Sequence, residues 1–163
     1  MPSIEQVYCS TKNSFSASHF LVGFAKCERL HGHNYDIVLN IRYNSADSKS
    51  ILDFKVINNL IQQEVKKLNQ KILIPGKSTE IQFISDIDDR NWKILVKEKK
   101  YSFPKQDVEI IPEIEMITCE KLAYYFYQRI SNWLQNNFPD LISVLKVKIC
   151  ENPGNQAIYS SDI

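Results

Sequence analysis

No apolar run in this 163-residue chain approaches the ~18 residues that a membrane span requires. The N-terminal "MPSIEQVYCSTKN" also lacks the apolar stretch of a signal peptide, so a cytoplasmic chain is expected. Neither sign of charge is in excess. The 20 Lys and Arg against 19 Asp and Glu leave a formal net charge of +1, too little to favour nucleic acid or an anionic membrane. The four cysteines, Cys9, Cys27, Cys119 and Cys150, lie far apart with no C-x-x-C pair, which points to free thiols. Repeats, linkers and low-complexity tracts are missing. What remains is one domain, residues 1–163, long enough to bury its own core and carrying an insertion at about 76–112.

Alternation and helical spacing outline the elements. Residues 4–19 read as a strand running into a turn. In "YDIVLNIRY", Tyr35, Ile37, Leu39, Ile41 and Tyr43 face one way and Asp36, Val38, Asn40 and Arg42 the other. "NSADSKS" (44–50) is a polar loop. Asp53 is placed to N-cap a helix carrying Ile57, Leu60, Ile61, Val65 and Leu68 on one face, closed by "IPG" (74–76). Residues 79–104 read as a hairpin turning at "DDRN" (88–91). Thr118 is placed to cap a second helix with a stripe of Leu122, Phe126, Ile130, Trp133 and Leu134. "SVLKVKICE" (143–151) is an alternating strand, "NPGN" a turn, and "QAIYS" a last extended piece. The order β-β-α-(inserted hairpin)-α-β-β is an α+β fold, with two helices on one face of an antiparallel sheet.

Histidine is nearly absent too, and its placement is informative. His19, His31 and His33 are the only three, all within "SHFLVGFAKCERLHGH". Residues i and i+2 of an extended segment point to one side, and Gly32 between them leaves room for close approach. His19 can supply a third nitrogen. Three neutral imidazoles suit Zn²⁺ at roughly 2.0–2.1 Å and leave a fourth position open. Cys27 then has two readings: a partly ionised base or nucleophile near the cation, or a fourth ligand or buried thiol. Cys9, Cys119 and Cys150 read as small core residues. Leu145, Val147, Ile149 and Glu151 share a strand face. A carboxylate there either meets a ligand offering two adjacent N–H groups or ends the strand in solvent.

Taken together, "FSASH", "C-x-x-x-H-G-H-N-Y", "ILDF", "TCEKLA" and "ENPGNQAIY" resemble the 6-pyruvoyl-tetrahydropterin synthase and 6-carboxytetrahydropterin synthase family, in the family's order and over nearly the whole chain. The resemblance implies a tunnelling fold (T-fold) and a homo-oligomer, commonly a hexamer of two stacked trimers. It implies Zn²⁺ on His19, His31 and His33, Cys27 as the catalytic cysteine, Glu151 as the pterin anchor, and Glu120 as a second carboxylate near that pocket. The implied substrate is 7,8-dihydroneopterin triphosphate. The C-x-x-x-H-G-H spacing resembles the carboxy branch, a lyase of the 7-deazaguanine pathway to queuosine or archaeosine, rather than the pyruvoyl branch.

One segment departs from the family. Asn69 and Gln70 stand where an Asp-His relay is usual, and neither amide titrates near pH 7. Asp107 or Glu109 of the insertion are replacement carboxylates; the other readings are an altered enzyme or a pterin-binding homologue without turnover. Lys12, Lys26, Arg29 and Lys71 are candidate triphosphate contacts.

Overall fold

The computed structural model describes residues 5–45, 52–84, 90–139 and 141–162. Two long antiparallel strands, β1 (Glu5–His19) and β2 (His31–Ser45), form its spine. The alternation of β2 is realised: Tyr35, Ile37, Leu39, Ile41 and Tyr43 are all buried. Helix α1 (Phe54–Leu68) starts after Asp53, whose Oδ1 accepts the Lys55 N–H at 2.8 Å. Its expected apolar face is buried, and Glu64 is buried with it, held by Lys67 at 2.6 Å. Helix α2 (Cys119–Asn137) starts after Thr118, whose hydroxyl accepts the Lys121 N–H. Trp133 of its stripe packs at the rim of the core rather than inside it.

Between the helices run β3 (Lys71–Pro75), β4 (Ile81–Ile84), β5 (Asn91–Val96), β6 (Lys99–Pro104) and β7 (Val108–Ile111). After α2 come β8 (Ile142–Asn152) and β9 (Asn155–Asp162), joined at Asn152, whose Oδ1 accepts the N–H groups of Gly154 and Asn155 at 3.0 Å each. The main sheet has the order β7-β3-β1-β2-β8-β9, and β4-β5-β6 form a second sheet. Both helices share one core with the inward faces of β1, β2 and β8. No helix among the described residues is long and apolar enough to cross a membrane.

The insertion is richer than a hairpin. Residues 71–75 form a strand rather than the close of a helix, and β3 runs parallel to both β1 and β7. Parallel strands need cover on both faces, and here each face has its own core. Leu73 and Ile111 enter the main core, whereas Ile74 and Val108 enter a second one with Phe20, Ile81, Ile94 and Val96. The polar loop expected at 44–50 and the turn expected at 88–91 lie largely outside the described residues.

Gly76 leaves β3 against the chain leaving β7. Its N–H donates to the Ile111 carbonyl at 2.8 Å, and a Cβ there would stand 2.6 Å from the Pro112 Cα. Backbone cannot yield as a side chain can. Gly76→Ala is therefore expected to cost about 1–3 kcal/mol in urea unfolding. Gly154→Ala, whose added Cβ meets nothing nearer than 3.6 Å, is expected to stay within about 0.5 kcal/mol.

Candidate active site

β1 ends and β2 begins on facing residues. His19 pairs with His31 and Ala17 with His33 across the ladder. Alternate strand residues share a face, so all three imidazoles emerge on the same side. Their ring centroids are 4.5 Å (His19–His31), 5.0 Å (His31–His33) and 5.3 Å (His19–His33) apart. The ligating atoms of the three lie within 4.8 Å of one another.

Backbone carbonyls orient two of these rings. His19 Nδ1 is 2.7 Å from the Ile117 oxygen and His31 Nδ1 is 2.6 Å from the Arg29 oxygen. A carbonyl only accepts, so each Nδ1 carries the proton and each Nε2 keeps its lone pair. Among the described residues, the Nε2 atoms of His19 and His33 are buried without a hydrogen-bond partner. Such orphaned polar atoms are costly in a protein interior, and a metal ion would satisfy them. Burial lowers the His19 pKa to about 4 despite the opposing Ile117 bond, so the ring is neutral and ready to ligate at pH 7. This donor set fits a divalent metal. Cys27 is not part of this cluster.

Glu151, at the end of β8, is turned inward rather than solvated. Its Oε1 lies 3.2 Å from His33 Nε2, off the line that a hydrogen bond needs. Its Oε2 accepts the Cys119 S–H at 3.5 Å. Burial first, and then Glu151, push the Cys119 thiol up to about 12, so it stays protonated. Tyr35 completes this wall. Its ring is 5.7 Å from that of His33, and its buried hydroxyl has no hydrogen-bond partner among the described residues. Burial, with Glu151 adding to it, holds the phenol well above its ordinary range.

Cys27 sits half-buried in a 3-10 turn (Ala25–Glu28) of the β1–β2 connection. The turn is closed by Leu21 N–H to the Cys27 carbonyl (2.7 Å) and Cys27 N–H to the Phe24 carbonyl (2.9 Å). Lys26 lies within the turn and Arg29 follows it. A cavity of about 510 Å³ opens beside His33, lined also by Ser16, Ser18, Gln70, Lys71 and Asp107. Asn69 and Gln70 tie the end of α1 to β1: Asn69 Oδ1 accepts the Ser16 N–H at 3.0 Å, and the Gln70 N–H donates to the Ser16 carbonyl at 2.7 Å. Asp107 reaches this cavity, whereas Glu109 is not in its wall. Lys12 is paired with Asp36 at 2.8 Å.

Two cysteines expected as plain core residues stand differently here. Cys119 is buried, but it also touches Glu151, so it belongs to the site wall as well as to the core. Cys150 is half-buried and near Gln156, because strand alternation turns it away from the face of Ile149 and Glu151. The Cys9 side chain lies outside the described ones. Glu120 is exposed on the first turn of α2, its carboxyl held below the usual range by its own N–H and the Thr118 hydroxyl. Tyr35 and the Ile117 carbonyl went unnoticed as site groups. Tyr35 carried a signal, since it continues the His31–His33 face; a backbone carbonyl carries none.

Two outcomes are expected. His31→Ala should abolish stoichiometric metal binding, measured by atomic absorption after dialysis; retention of one metal per chain would remove the site. In metal-free protein, the unfolded chain takes up a proton at His19 near pH 6.5, while the folded chain resists until about pH 4. Stability from this group is therefore present above pH 6.5 and falls by about 3 kcal/mol as pH drops to 4. Urea unfolding across that window should be measurably flatter in His19→Gln.

Comparison with known proteins agrees with this geometry. The profile of the 6-pyruvoyl tetrahydropterin synthase family matches residues 8–162. A Methanocaldococcus jannaschii protein, provisionally named a 6-carboxy-5,6,7,8-tetrahydropterin synthase, is 30% identical over 146 residues, 89% of this chain and 88% of its own. A Pyrococcus horikoshii protein with the same provisional name is 30% identical over 88% of this chain and 83% of its own. The crystal structure of 6-pyruvoyl tetrahydropterin synthase from Plasmodium vivax superposes with a TM-score of 0.85 at 25% identity, covering 98% of this chain and 99% of that one. Fold, motif order and the histidine triad thus converge, and the chain belongs to the 6-pyruvoyl tetrahydropterin synthase family of lyases, with the T-fold of its structural relatives.

Proposed function

We propose that the protein is a zinc-dependent lyase that converts 7,8-dihydroneopterin triphosphate to 6-carboxy-5,6,7,8-tetrahydropterin, with release of acetaldehyde and triphosphate. The observation that carries this reading is the triad of clustered imidazoles beside the inward carboxylate of Glu151, with Cys27 outside the ligand set. The name given to the M. jannaschii and P. horikoshii relatives and the C-x-x-x-H-G-H spacing support the carboxy product.

His19, His31 and His33 would hold the zinc, which when bound supplies polarisation of the substrate's side-chain oxygens. Glu151 anchors the pterin: its two oxygens match two adjacent ring N–H groups, a charge-assisted pair. Cys119 stays a neutral donor to one of those oxygens and fixes the carboxylate's direction. The buried hydroxyl of Tyr35, without a hydrogen-bond partner among the described residues, is available to a ligand in the same wall. Cys27 moves protons on the substrate side chain. Asn69 and Gln70 position β1 rather than titrate, and Asp107 is the carboxylate that faces the cavity next to Gln70. Glu120 takes a lesser role, ordering the N-terminus of α2. The cavity cations are led by Lys71, which lies in its wall. β9 pairs only with β8 among the described strands and carries exposed Ile158, which supports continuation of the sheet into further copies of the chain.

Turnover of dihydroneopterin triphosphate by zinc-loaded protein tests the reading, with pterin products separated and acetaldehyde assayed. Acetaldehyde in equal amount to a carboxylated pterin is expected; a pyruvoyl product, or none, overturns it. Glu151→Ala is expected to raise the pterin dissociation constant about 100-fold, roughly 3 kcal/mol for a charged hydrogen-bond partner. Cys27→Ala is expected to lower kcat by about 10²–10⁴ with zinc content unchanged.

A further inference from the structure

The inserted β4-β5-β6 sheet has no part in the chemistry above, yet it is fastened to the turn that carries Cys27. Phe20 and Val22, the residues that lead from His19 into that turn, pack into the second core with Ile94 and Val96. Phe20 stacks on Tyr101 of β6, ring centroids 5.4 Å apart and planes 8° from parallel. The polar fastening centres on Glu28, the residue after Cys27. Its Oε1 accepts the Gly23 N–H at 2.7 Å and pairs with the Lys97 ammonium. Lys99 approaches its Oε2 at 3.9 Å and its backbone carbonyl at 3.4 Å.

Both ends of this fastening are in an uncommon backbone state. Lys97 forms the tip of the β5–β6 hairpin with φ +52°, and Ala25 of the Cys27 turn has φ +46°. L-residues with a Cβ avoid this region, and a turn tip would be better served by Gly or Asn. Such strain persists where the surroundings hold it. A lysine kept there, and reaching Glu28, is an arrangement that the hairpin's own stability does not ask for.

We propose that the inserted sheet is a clamp on the Cys27 turn, with Lys97 a positioning residue that acts through the Glu28 carboxylate. The catalytic part of this rests on Cys27 being the proton-moving group; the mechanical part does not. Exposed ion pairs contribute little stability singly, so the clamp sets where the turn sits rather than whether the domain folds. A thiol displaced by about 1 Å loses rate on the order of 10²-fold at the extreme, without loss of substrate affinity.

The test uses full-length, zinc-loaded protein and three forms: wild type, Lys97→Asn and Lys97→Arg. Asn tolerates the left-handed backbone and lacks the ammonium, so folding is preserved while the pairing is lost. Iodoacetamide labelling of Cys27 is followed by peptide mass mapping, with Cys150 as internal reference. In Lys97→Asn the Cys27 rate should change by at least about three-fold and the Cys150 rate should not, with Tm within about 2 °C. Its kcat should fall about ten-fold at a KM within about two-fold of wild type, and Lys97→Arg should restore both readouts. An unchanged Cys27 labelling rate, equal changes at Cys27 and Cys150, or failure of Arg to restore the wild-type rate overturns the clamp. A selective labelling shift in a protein without pterin turnover supports the clamp while refuting the proposed activity.

Discussion

The pairing of His19 with His31 across the β1–β2 ladder is the contact on which the rest depends. Strand side chains alternate with a period of two, so a slip by one residue would send the ring of His19 to the opposite face. The register is held by what lies further along the same strands. Phe15 faces Tyr35, and the face of Ile37, Leu39 and Ile41 is buried to the last atom. Apolar burial along the described inward face of this ladder thus fixes the geometry of a polar site at one end of it.

At that end the interior changes character gradually. Phe15 stacks on Tyr35 at 5.0 Å, the Tyr35 ring meets that of His33, and His33 meets Glu151. Each step is more polar than the one before it. Burial favours the neutral form of three groups around this path: His19 as imidazole, Cys119 as thiol and Tyr35 as phenol. A neutral histidine is what a metal requires, and a neutral thiol is what lets Cys119 donate to Glu151 instead of repelling it. One cause, desolvation, prepares both halves of the site.

The insertion alters this scheme without entering it. β3 and β7 extend the main sheet in parallel and separate two cores, which is why Leu73 and Ile74, adjacent in sequence, serve different clusters. The second core exists to seat the small sheet, and the small sheet leans on the connection between the first two histidines. Asn69 and Gln70 belong to the same region, tying α1 to β1 at Ser16. Among the described residues the non-glycine positions with positive φ are Ala25, Gln70 and Lys97, and each borders the site or its clamp.

The amino-acid sequence by itself determined the elements whose causes are local. Asp53 and Thr118 cap their helices because a side-chain oxygen two or three residues away is enough to satisfy a free N–H. The alternation of β2 and the triad itself were legible because period-two geometry acts over a few residues. The motif order and the departure at Asn69–Gln70 were legible too. Tertiary structure alone decided what depends on distant partners. The carbonyl that orients His19 belongs to Ile117, 98 residues away, and carries no side-chain signature. Cys119 meets Glu151 across 32 residues, and Lys97 meets Glu28 across 69. The short apolar runs at 71–75 and 108–111 look alike whether they close a helix or build a strand, and only the two cores on either side of them decide. Nearest-neighbour physics writes helices, turns and faces, while burial between remote segments assigns each polar group its partner and its proton.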